Sequence, residues 1–213
     1  MPNAFVRPEV AEPPGRVETA TLMMCDDCAL IQLREVLPDE ELLRNVIWVA
    51  GTSATLRRHA ASLATRLARQ HGRGKRLVEL MSNDGILLAA CREAGFDVLG
   101  VDPTPIAAEA AARGLPCLMR RFGADAAREI LARQGPADVI VARHTFAHTG
   151  ELADLMAGVD LLLAPGGRLI VEVPYALTLR DELQYDTIFH EHVCYWTASP
   201  CRSRYRVRVV AVQ

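Results

Sequence analysis

From Lys75 onward, short apolar runs of strand length alternate with stretches of helical periodicity, and this alternation narrows the fold more than any other feature of the chain. Strand patterns are read at 76–80, 97–101, 115–119, 137–142 and 168–173. Helical patterns lie between them, near 85–94, 105–113, 124–133 and 151–163. Strands joined in this way through helices run parallel, and their buried faces must be covered on both sides. The expectation is an α/β fold: a doubly wound, mostly parallel sheet. Pro165-Gly166-Gly167 reads as a tight turn just before the fifth strand. No internal repeat interrupts the pattern.

The residues before Lys75 read as smaller pieces. Positions 1–20 carry Pro2, Pro8, Pro13 and Pro14 without apolar periodicity and read as an arm. A short unit over 22–33 holds Cys25 and Cys28, and Pro38-Asp39-Glu40-Glu41 marks a helix start, with proline in the first turn and acids at the positive end of the dipole. Thr52-Ser53 can cap a longer helix, in which Leu56, Ala60, Leu63, Ala64 and Leu67 share one face. The expected division is an arm (1–20), a small N-terminal module (21–50), the α/β domain (51–197) and a divergent tail (198–213).

Composition excludes several classes of function. With 24 basic and 26 acidic residues the net charge is −2, so no general attraction to nucleic acid or to a membrane surface is expected. No apolar run approaches the roughly 20 residues that span a bilayer, and the first residues do not read as a secretory leader, which makes the cytoplasm the expected compartment. The six cysteines are dispersed, several within core-like stretches, as suits reduced thiols.

Ligands of parallel sheets bind beyond the carboxyl ends of the strands. The first such turn, Glu79-Leu80-Met81-Ser82-Asn83-Asp84-Gly85, has one glycine and two acids, where a dinucleotide site would have a glycine-rich cradle of amides for pyrophosphate. Acids suit a cationic nucleoside instead. Asp102 closes the second strand, where a carboxylate can accept from ribose hydroxyls; a plain strand-ending turn at Asp102-Pro103 is the other reading. Further on, Asp186-Thr187-Ile188-Phe189-His190-Glu191-His192 gathers two imidazoles and two carboxylates. That cluster reads as proton-transfer chemistry, a surface metal pair or a solvated loop.

Residues 79–85, Val101-Asp102-Pro103, 142–148, Glu172-Val173-Pro174-Tyr175 and 186–192 resemble, in order and spacing, the S-adenosylmethionine-dependent sugar C-methyltransferases. The resemblance covers about residues 21–197. It implies a class I methyltransferase domain of Rossmann-like fold behind a zinc module built on Cys-x-x-Cys pairs. It also implies methyl transfer to the carbon beside the carbonyl of a nucleotide-linked keto-deoxysugar, through base-assisted enolate formation. Carried over by motif, His148, Glu191 and His192 become the acid–base residues. Glu79, Ser82, Asn83, Asp84, Gly85, Asp102, Pro103, Phe122 and His144 become the S-adenosylmethionine contacts, with Phe122 near the adenine, and Cys25 and Cys28 the zinc ligands.

The sequence departs from the family pattern at several points. Met81 stands where the family has glycine, and Phe189 where it has a tyrosine that could donate to the enolate, a contact worth ~10²-fold in rate. One Cys-x-x-Cys pair gives two ligands where structural zinc takes four, so two reduced thiols are the competing reading. Beyond Trp196 the resemblance stops. Residues 197–213, with Arg202, Arg204, Arg206 and Arg208, are expected to reflect a truncated or frameshifted gene, leaving two further alternatives: a catalytically impaired S-adenosylmethionine-binding remnant, or a methyltransferase of a non-sugar acceptor. Self-association through an uncovered sheet edge is also expected.

Overall fold

A computed structural model of the chain describes residues 19–38, 42, 43, 46 and 48–198. The arm over 1–18, most of the helix start expected at Pro38 and the arginine-rich tail from 199 lie outside them. The described residues divide into two compact units. One takes those within 46–145 and 151–172; the other joins those within 19–43, 146–150 and 173–198.

The larger unit carries the parallel sheet. Its strands are β3 (Arg76–Leu80), β4 (Asp97–Val101), β5 (Cys117–Leu118), β6 (Ala137–Arg143) and β7 (Leu163–Glu172), in the order β5-β4-β3-β6-β7 and parallel throughout. β3 and β6 occupy the centre, and their Leu77, Val78, Val139, Ile140 and Val141 are fully buried, as strands covered on both faces require. Flanking helices are α1 (Ala54–His71), α2 (Ile86–Glu93), α3 (Ala107–Ala112), α4 (Ala124–Gln134) and α5 (Leu152–Leu162). The expected cap of α1 is present: Ser53 Oγ accepts from Leu56 N at 3.3 Å. Leu63 and Leu67 of α1 join Leu87 and Leu88 of α2 and Leu77 in one apolar cluster.

Two elements differ from expectation. The strand read at 115–119 contracts to Cys117–Leu118. Pro116 has no N–H to offer the ladder, although its carbonyl accepts from Gly100 N; after Leu118 the chain turns back through Arg120 N to Leu118 O. The Pro165-Gly166-Gly167 turn does not precede the last strand but lies inside it. β7 pairs Leu163 with Ala137 and then, after an irregularity in register, Arg168 with Val139; Gly166 takes φ 77° in the excursion.

The smaller unit is built around an antiparallel sheet. β1 (Leu22–Met24) and β2 (Ile31–Leu33) form a hairpin, and β2 pairs on its other side with β8 (Cys194–Tyr195). The hairpin turn begins at Cys25, whose thiol is held below its ordinary pKa by hydrogen bonds from the Cys28 and Asp27 backbones. α6 (Ala176–Asp181) completes this unit, with Leu33, Ala176 and Tyr195 buried together.

Candidate functional site

The carboxyl ends of β3 and β4 meet at a turn that is tied together by one carboxylate. Asp102, 1% exposed, accepts from Asn83 N through Oδ2 at 2.7 Å, and from Thr104 N and Thr104 Oγ1 through Oδ1 at 2.7 and 2.6 Å. Three donors on one buried carboxylate hold the turn in a single conformation. The turn runs through left-handed backbone at Met81 (φ 51°), Asn83 (φ 53°) and Gly85 (φ 78°). At Gly85 a side chain would come within 2.7 Å of Leu115 Cδ1 and 3.0 Å of Ala110 Cβ, and the left-handed backbone there disfavours it as well. Pro103 lies between Asp102 and Thr104 and leads out of the turn.

The other acids of the turn are equally withdrawn from solvent. Asp84 is 3% exposed; its Oδ2 stands 3.3 Å from Arg113 Nη2, while its Oδ1 is buried with no hydrogen-bond partner. Glu79 is fully buried, and its Oε1 receives Arg143 Nε at 3.1 Å and Nη2 at 2.8 Å, leaving Oε2 without a partner. Burial, with Asp102 and Asp84 nearby, pushes the Glu79 carboxyl up to about 7 against the opposing pull of Arg143. Ser82 is fully buried with Oγ 3.7 Å from Cys117 Sγ. Phe122 is buried where α5 passes closest, at Gly158. His144, at the end of β6 with φ 59°, has Nε2 3.7 Å from Glu172 Oε1, and the other carboxylate oxygen meets His59 Nε2 of α1 at 2.6 Å.

The orphaned Asp84 oxygen and the acid-rich donor set fit a cationic nucleoside such as S-adenosylmethionine, and the turn has no glycine-rich cradle for a pyrophosphate. The described residues offer no comparable fit for zinc. Cys25 and Cys28 bracket one turn, and no group of three potential metal ligands occurs among the described residues.

The residues expected to move protons gather in the smaller unit. His192 Nδ1 lies 2.9 Å from Thr187 O; a carbonyl can only accept, so Nδ1 carries the proton and the lone pair of the neutral ring sits on Nε2. The His148 ring lies 4.9 Å from the His192 ring, edge to face, and the Phe189 ring lies 4.1 Å from that of His192, tilted by 35°. Glu191 is buried in the same loop. Val193 N donates to Ala147 O at 2.7 Å and Trp196 Nε1 to Phe146 O at 2.9 Å, which pins the segment carrying His148 beside the one carrying His192.

Sequence reading missed Arg143, Thr104, Glu172 and His59. The first three lie within or beside motifs that drew notice, but nothing local announces that Arg143 neutralises Glu79 from 64 residues away, or that His59 reaches Glu172.

A family model described as a methyltransferase domain matches residues 53–203. The chain belongs to this methyltransferase family. The sheet order and flanking helices are those of the class I, Rossmann-like fold of S-adenosylmethionine-dependent methyltransferases. Among curated proteins the chain is similar to the C-methyltransferase NovU of Streptomyces niveus, 36% identical over 179 residues. That match covers 83% of this chain and 43% of NovU, so the chain spans less than half the length of this relative. Two solved structures share the methyltransferase fold. They are the YcgJ protein of Bacillus subtilis (TM-score 0.53, 18% identity, 68% of this chain and 65% of that one) and a chain of the complex between the Haloferax volcanii Trm112 methyltransferase activator and a methyltransferase (0.50, 17%, 70% and 74%). No helix among the described residues of this methyltransferase is long and apolar enough to cross a membrane.

Proposed function

We propose that this methyltransferase acts on carbon, beside the carbonyl of a nucleotide-linked keto-deoxysugar. The observation that carries the reading is His192, whose Nδ1 is committed to the Thr187 carbonyl so that Nε2 is the basic atom, with His148 and buried Glu191 gathered in the same unit. Bound S-adenosylmethionine supplies an electrophilic methyl on a positively charged sulfur. His192 Nε2 takes the proton from the substrate carbon, and the electron pair passes to the carbonyl as an enolate. His148 and Glu191 govern the charge on the imidazolium that forms. Asp102 and Asn83 set the cofactor turn, and Asp84 offers its carboxylate to the cation. The C-methyltransferase activity in the name of NovU supports a carbon acceptor.

The test is transfer of labelled methyl from S-adenosylmethionine to nucleotide-linked keto-deoxysugars. His192→Ala abolishes transfer while leaving cofactor binding by calorimetry intact; unchanged turnover removes the residue from the mechanism. Asp102→Ala releases Asn83 N and Thr104, which fix the cofactor turn, and is expected to weaken cofactor binding by calorimetry. A second reading, a cofactor binder with impaired chemistry, is favoured by Phe189, whose ring packs against His192 but carries no hydroxyl for an enolate. If Phe189→Tyr raises the rate, the missing donor is the impairment.

A further inference from the structure

The segment 48–52, just ahead of α1, has no role in the site as described so far, yet it is fastened to the cofactor turn by a single side chain. Asn83 Nδ2 donates to Trp48 O at 2.9 Å, and Asn83 Oδ1 accepts from Ala50 N at 2.8 Å. The backbone N–H of the same asparagine is the one that Asp102 accepts. Asp102, Asn83 and the segment are therefore linked in series, from the second strand through the first turn to a separate piece of chain. A steric tie lies beside the polar one: any side chain at Gly51 would collide with Asp84 Oδ2 and come within 3.0 Å of Ile86 Cγ2. Arg57 of α1 donates to Gly51 O and closes the segment from the other side.

This fastening leaves an anomaly at Trp48, whose backbone is fixed at the rim of the turn while the residue is 55% exposed. Holding a large indole in water on an ordered backbone gains nothing for the fold. On a segment whose Gly51 packs against the Asp84 carboxylate, an exposed aromatic face suits a ligand that combines a planar base with a positive charge.

We propose that the segment 48–52 is a wall of the cofactor site, with Trp48 as a binding contact for the adenosyl sulfonium ligand and Asn83 as the positioning residue that holds it there. This rests on the S-adenosylmethionine reading above. It assigns Asn83 a duty distinct from direct contact: its amide is spent on the protein, and its effect on binding passes through Trp48.

The chain has two tryptophans, and Trp196 is only 5% exposed, so Trp48 can be watched alone by acrylamide quenching of the wild type or by emission in a Trp196→Phe background. The full chain is titrated with S-adenosylmethionine and with S-adenosylhomocysteine, following heat and tryptophan signal together. Trp48 is expected to become shielded with the same midpoint as the heat, and Trp48→Leu to weaken binding about tenfold, with Trp48→Phe recovering part of the loss. Asn83→Asp keeps the acceptor for Ala50 N but removes the donor to Trp48 O; it is expected to abolish the Trp48 response while binding heat persists at reduced affinity. Binding heat in the wild type with no change in Trp48 quenching, and equal affinity in Trp48→Leu, overturns the proposal. Absence of binding heat in the wild type overturns the cofactor reading itself, and this inference with it.

Discussion

Two residues of the cofactor turn are held in states that their chemistry resists, and each gives a measurable consequence. Glu79 is an acid buried between strands with its pKa raised to about 7 from the ordinary glutamate range. A carboxyl raised on folding binds a proton that the unfolded chain has released, so its contribution to stability is full below about 4.5 and is lost as pH rises through 7. Denaturant melts of Glu79→Gln against wild type from pH 4.5 to 7.5 are expected to show the wild type losing ground steadily across that window. A constant difference would mean that Arg143 keeps the carboxylate charged throughout. Met81 occupies left-handed backbone at φ 51°, a region that disfavours a side chain by about 1 kcal/mol or more. Met81→Gly is therefore expected to stabilise the protein by about 0.5–1 kcal/mol, read as a rise of a few degrees in Tm. An unchanged or lower Tm would show that Met81 packing outweighs the backbone strain.

At the scale of elements, α1 is positioned by its start. Ser53→Ala removes the acceptor for Leu56 N and is expected to cost about 1 kcal/mol in thermal or denaturant melts, with Ser53→Asp restoring it; no loss in the alanine variant would mean that packing of Leu63 and Leu67 alone fixes the helix. This cap was legible in the sequence because capping is local, as were β3 and β4, whose buried apolar runs are bounded by turn residues. β5 was read too long because Leu115, a core residue, and Met119, an exposed one, extend the apolar run past the two residues that actually pair. Pro165-Gly166-Gly167 carries the same local signal ahead of a strand as in an excursion inside one, so the sequence alone does not place it within β7. The chemistry-bearing residues were named by motif, but their commitments were not readable. Arg143 claims Glu79, Thr104 claims Asp102 and Asn83 holds the 48–52 segment through contacts that no spacing rule announces.

At the scale of the whole molecule, β7 is paired by β6 and is one of the two edge strands of the parallel sheet among the described residues, with Leu169, Ile170 and Val171 half-buried along it. Open edges of this kind recruit further strands. We predict concentration-dependent self-association, measured by light scattering behind size exclusion, that Leu169→Lys reduces; a monodisperse monomer at every concentration would show the edge to be covered. The smaller unit has a different consequence, set by the direction of synthesis. Its hairpin is made long before its partner strand, since Ile31 pairs with Tyr195 and Gln32 with Cys194. At ~5–20 residues per second the ribosome takes roughly 10–30 s to deliver that partner. Throughout this interval β2 has one side unclaimed, and the larger unit must emerge and collapse between the two halves of a sheet that is still incomplete.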